Sequence, residues 1–103
     1  MLEQDKVYIT NKVKELVSEK IKGYVSSDLI GDALVVSITG VQDIVYTYTT
    51  YVNIDCNYSL ETRDILSQRI AKKACKRYKS YIKNLFFKEK KSIDILDTTL
   101  YTR

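Results

Sequence analysis

The run from Ser59 to Lys91 contains no Gly and no Pro, and its apolar residues recur every three or four positions. Such a run reads as one long amphipathic helix. Turning about 100° per residue places Leu66, Ile70, Ala74, Tyr78, Tyr81, Ile82 and Leu85 in one broad sector, with Ala71 inside it and Cys75 and Phe86 at its margin. Arg69, Lys72, Lys76, Lys79 and Lys83 fall on the opposite side. One side is built to be packed and the other to be wet, so the rest of the chain must supply something for the apolar side to cover. Ser59 is the expected N-cap, with Glu61 and Asp64 near the positive end of the helix dipole and Lys88, Lys90 and Lys91 near the negative end.

The charge is as uneven as the hydropathy. Arg69 to Lys91 holds ten basic residues and one acid, Glu89, whereas the remainder holds seven basic and twelve acidic residues. The formal charge of +4 is thus a +9 segment set against a −5 remainder. A cationic stripe of this kind suits an anionic partner, either nucleic acid or an acidic protein surface. It also suits a solvated outer face, because Lys is a good helix former. Lys predominates over Arg, which argues against bidentate capture of individual phosphates.

Upstream, Glu3 to Tyr24 fits a first helix, with Ile9, Val13, Leu16, Val17, Ile21 and Tyr24 on one face and Lys12, Glu15, Glu19 and Lys22 on the other. Ser26, Ser27 and Asp28 read as a loop that Leu29 and Ile30 anchor. A strand follows from Ala33 to Thr39, then a turn over Gly40 to Asp43, then a second strand from Ile44 to about Asp55. Both faces of the second strand carry β-formers, so its buried face is not named by its pattern. Two strands make a thin sheet. A third strand in the tail between Ser92 and Tyr101, packing of both helices on one face, or pairing of sheet edges in a dimer would each remedy that. The expected architecture is a single α+β domain over residues 1–103: helix, two-stranded antiparallel hairpin, long C-terminal helix, and an extended tail over 92–103 that is the candidate third strand. A chain of this length is one domain with a modest core, and a homodimer is the expected state.

The chain has no histidine, no CxxC pair and no phosphate-binding glycine loop, so no catalytic residue, metal site or cofactor is assigned. Cys56 lacks a paired base, and the pairs Asp28 with Asp32 and Asp43 with Asp55 read as loop carboxylates. With no export signal or membrane-length apolar run, the two cysteines are expected as free, partly buried thiols in a cytoplasmic protein. The expectation is a non-enzymatic interaction protein. Tyr46, Tyr48 and Tyr51 are the candidate protein interface, since Tyr combines contact area with a polar tip. The alternative is a nucleic-acid-binding protein that contacts phosphates through Arg69, Lys72, Lys76, Lys79 and Lys83, with the strand tyrosines as a stacking platform. The acids Glu15, Glu19, Asp28, Asp32 and Asp43 are too few to mimic a nucleic acid.

The segments "GDALVVSI", "IVYTY" and "YKSYIKNLFFK", in that order after a helix, resemble a group of small uncharacterised proteins encoded by phages and prophages of low-GC Gram-positive bacteria. The likeness covers about Lys6 to Lys88 and rests on core positions such as Gly31, Leu34, Ile38, Tyr78 and Phe86. It implies an accessory protein that binds or inhibits host machinery inside the host cell, with a host protein as partner. It carries over no functional residue.

Overall fold

We describe the chain from a computed structural model, which covers the backbone of residues 1–100 and the side chains of residues 1–40 and 42–87. The order is α1 (Glu3–Lys20), β1 (Tyr24–Ile30), β2 (Ala33–Thr39), a 3-10 turn (Val41–Asp43), β3 (Val45–Tyr51) and α2 (Leu60–Leu100). The three strands form an antiparallel meander in the order β1-β2-β3. An N-terminal helix, a small antiparallel sheet and a long C-terminal helix are therefore the architecture, with both helices on one face of the sheet.

The sheet's third strand comes from a different place than the sequence suggests. Residues Tyr24 to Ile30, expected as helix end and loop, pair along their whole length with β2, from Tyr24 opposite Thr39 to Ile30 opposite Ala33. Ser26, Ser27 and Asp28 favour loops in isolation, but β2 offers them a ladder of backbone partners, and that outweighs their weak β preference. The signal is the two-residue connection Gly31-Asp32 between two β-prone runs. Gly31 sits at φ +63°, the left-handed first position that a type II′ hairpin turn demands. Strand β1 also shortens α1, which ends at Lys20 and is closed by the Ile21 N–H donating to the Val17 carbonyl. At the other end, α2 continues to Leu100, so Ser92 to Leu100 is helical and not the extended tail expected there. Ile93 and Leu96 continue a helical spacing with no Gly or Pro to interrupt it. Residues 101–103 lie outside the described part.

The core is built from alternate positions of the sheet and one side of each helix. Val25, Leu34, Val36 and Ile38 from the sheet meet Ile9, Val13, Val17 and Ile21 from α1 and Ile70, Ala74, Tyr78 and Ile82 from α2. Leu34, Val36 and Ile38 are fully enclosed, and each such aliphatic side chain contributes about 2 kcal/mol through burial. On β3, Tyr46, Tyr48 and Thr50 face this core, which settles the face the sequence left open. Tyr24, assigned to the apolar face of α1, instead points out of β1 and is 70% exposed.

The outward face of the sheet is formed by four cross-strand ranks: Tyr24–Thr39–Val45, Ser26–Ser37–Thr47, Asp28–Val35–Thr49 and Ile30–Ala33–Tyr51. Its four corners, Tyr24, Ile30, Val45 and Tyr51, are all exposed large side chains.

Candidate anion-binding face of α2

Helix α2 begins at a capped and tethered end. The Ser59 Oγ accepts from the Thr62 N–H at 3.1 Å, as the N-cap assignment requires. One turn on, Arg63 reaches α1: its Nη1 donates to Asp5 Oδ1 at 3.0 Å, and its guanidinium lies 3.9 Å from the centroid of the Tyr8 ring. Asp5 is 4% exposed. The Tyr8 hydroxyl donates to Asp64 Oδ1, and this hydrogen bond, more than burial, raises the Tyr8 pKa. The first turns of both helices are thereby joined by charge-assisted contacts.

Past Arg63 the basic residues behave differently. Arg69, Lys72, Lys76, Lys79 and Lys83 are all exposed, and so are Lys73 and Arg77 beside them. Among the described residues none of the seven forms an ion pair: the ion pairs there are Lys6–Glu3, Lys12–Glu15 and Arg63–Asp5. The helix turns its other side inward, where Ser67, Ile70, Ala71, Ala74, Cys75, Tyr78 and Ile82 are buried. Cys75, placed at the margin of the apolar sector by its spacing, is 4% exposed, whereas Tyr81, placed inside it, is 38% exposed. At 1.5 Å per residue, the cations from Arg69 to Lys83 span about 21 Å. The side chains of Lys88, Lys90 and Lys91 lie outside the described residues.

One further cation joins this surface from α1. Lys20 lines a shallow groove of about 280 Å³ between the helices, together with Leu16, Gln68, Ala71 and Lys72. It also lies near the Cys75 thiol: burial pushes that thiol's pKa up, and Lys20 and Lys79 pull it partly back. Nothing in the sequence marks Lys20, because its place depends on how α1 crosses α2.

The candidate tyrosine interface is divided. Tyr46 packs against α2, with its ring centroid 6.2 Å from that of Tyr78 and 5.0 Å from that of Tyr81. Tyr48 is partly buried against the same core. Tyr51, an odd number of residues further along the strand, points to the opposite face and is 75% exposed. The structure therefore does not bring the three tyrosines together on one surface.

The remaining polar features are scattered. A cleft of about 430 Å³ lies between the first turns of α1 and the β1–β2 turn, lined by Lys6, Thr10, Ser27 and Asp28 among others. Cys56 is exposed and Cys75 buried, and both are free thiols. Among the described residues no three His, Cys, Asp or Glu side chains converge as metal ligands, and no helix is long and apolar enough to cross a membrane. Comparison with protein-family models, with curated proteins and with solved structures finds no match to this chain.

Proposed function

We propose that this chain is a non-enzymatic interaction protein that engages a polyanion through the cationic face of α2, and that a nucleic-acid backbone is the ligand class that fits it best. One observation carries the reading: seven exposed cations from Arg69 to Lys83 have no ion-pair partner among the described residues, and five of them, Arg69, Lys72, Lys76, Lys79 and Lys83, lie opposite the buried side of their helix, with Lys73 and Arg77 at its flank. Lysines on flexible stems neutralise phosphates without reading bases, so the binding is insensitive to sequence. If about four phosphates are neutralised, affinity falls roughly 10²-fold between 50 and 200 mM salt.

Titration of mixed-sequence duplex and single-stranded DNA at low and at physiological salt tests this. The expected result is binding that weakens steeply with salt and is lost in the K72E/K76E/K79E variant. Absence of binding at low salt, or the same binding by the variant, overturns it.

A protein partner with an acidic surface is the second reading, favoured by the excess of Lys over Arg along the face: only Arg69 and Arg77 among the seven are arginines. The resemblance to phage and prophage proteins supports a host protein in that role, and capture from a host lysate that survives nuclease treatment would favour it. The exposed free thiol of Cys56 supports a reducing, cytoplasmic setting.

A further inference from the structure

We infer that the outward face of the sheet is a self-association surface on which a second copy of this chain packs sheet against sheet. This rests on a different part of the molecule from the cationic face and does not depend on it.

Three features of the face point to a second copy as the occupant. Its four cross-strand ranks contain one ionised side chain, Asp28, in a chain where 29% of residues are charged. Two copies approaching through α2 would set seven exposed cations against seven, whereas two outward sheet faces meet almost without opposing charge. Next, the corners of the face are its largest apolar groups. Tyr24 and Tyr51 occupy one diagonal and Ile30 and Val45 the other, each more than half exposed. Between them lie Val35 and a set of Ser and Thr side chains, short enough for two sheets to approach at about 10 Å.

Size is the third feature. Twelve outward positions per copy, read from the four ranks, are about half the residues of a standard protein interface. That suits a two-fold contact of modest strength and gives a reversible, concentration-dependent dimer. Its contacts are apolar and hydroxylic, so raising salt leaves it intact or strengthens it, the opposite of the response expected for polyanion binding.

The test is sedimentation equilibrium across a wide concentration range, on wild type, Val35→Glu and Thr49→Glu. Val35→Glu places a carboxylate on the central strand beside Asp28 of its own chain, and Thr49→Glu places one on β3 in the same cross-strand rank, so each adds negative charge to a face that would have to meet the same face of a second copy. Val35 lies on the central strand, so the change leaves both sheet edges free to pair; Thr49 is exposed, so the variant keeps its fold even where Val35→Glu does not. The expected result is a wild-type dimer and a dissociation constant raised more than about tenfold in whichever variants stay folded by circular dichroism. A wild-type chain that remains monomeric overturns the inference. So does a dimer that persists in either folded variant, which would assign association to the sheet edges or to α2. The K72E/K76E/K79E variant dimerises as wild type does, so loss of DNA binding and loss of the dimer are separable results.

Discussion

Arg63 and Arg69 lie less than two turns apart on one helix, and they meet opposite surroundings. Arg63 points toward α1, where a buried carboxylate and a tyrosine ring await it. Arg69 and the cations after it stay exposed and form no ion pair among the described residues. The same residue type thus ties the fold together at one end of the exposed arc and is left for an outside partner further along. A charge is structural when the neighbouring element brings a counter-charge out of water with it. Where no element arrives, the charge stays solvated and adds little to stability.

That contrast can be tested by its unequal costs. Asp5→Ala should be the most damaging change, lowering stability by about 2–3 kcal/mol, because it leaves the Arg63 guanidinium largely buried without its carboxylate; urea denaturation measures it. If the loss is below about 0.5 kcal/mol, Arg63 belongs with the solvated cations and the contrast fails. Gly40→Ala should cost about 1–3 kcal/mol by overpacking, since an added Cβ would strike the Tyr78 ring and hydroxyl that rest on Gly40. It probes the buried side of α2 with no change of charge, and a shifted melting temperature with unchanged DNA binding is the expected pair of results.

Tyr8→Phe removes the hydroxyl that joins α1 to Asp64 and should lower stability by less than either change above. Its pH signature has a defined sign. The Tyr8 pKa is raised in the folded state, so its contribution is present below the ordinary tyrosine value and is lost as pH climbs through the higher folded value. Wild type should therefore lose its advantage over the Phe variant in alkaline solution, as thermal melts across that range would show. The smallest change in stability belongs to K72E/K76E/K79E, within about 0.5 kcal/mol of wild type, although it has the largest effect on polyanion binding. A large destabilisation there would mean that the lysines hold the fold and would remove the distinction.

The long helix, its start at Ser59 and its two-sided character were legible in the sequence, because spacing and capping are local properties of a single element. The same holds for β2 and for most of the core residues of α1. The five named cations of α2 were legible as exposed for the same reason. What escaped is what a segment learns only from its neighbours. Residues 24–30 became a strand because β2 had a free edge to offer, whereas Ser92 to Leu100 continues α2, where no Gly or Pro ends the helix.

The tertiary structure likewise chose the face of β3, dividing Tyr46 and Tyr48 from Tyr51, because a strand with β-formers on both faces is oriented only by what packs on it. It also carried Lys20 to the edge of the cationic face and paired Arg63 with Asp5 across 58 residues. The sequence by itself determined which stretches have a greasy and a wet side, since that follows from residue order and the pitch of a helix or strand. Only the packed structure decided which charges meet, which strand faces outward and which surfaces stay open, because those outcomes depend on distances between residues that are remote along the chain.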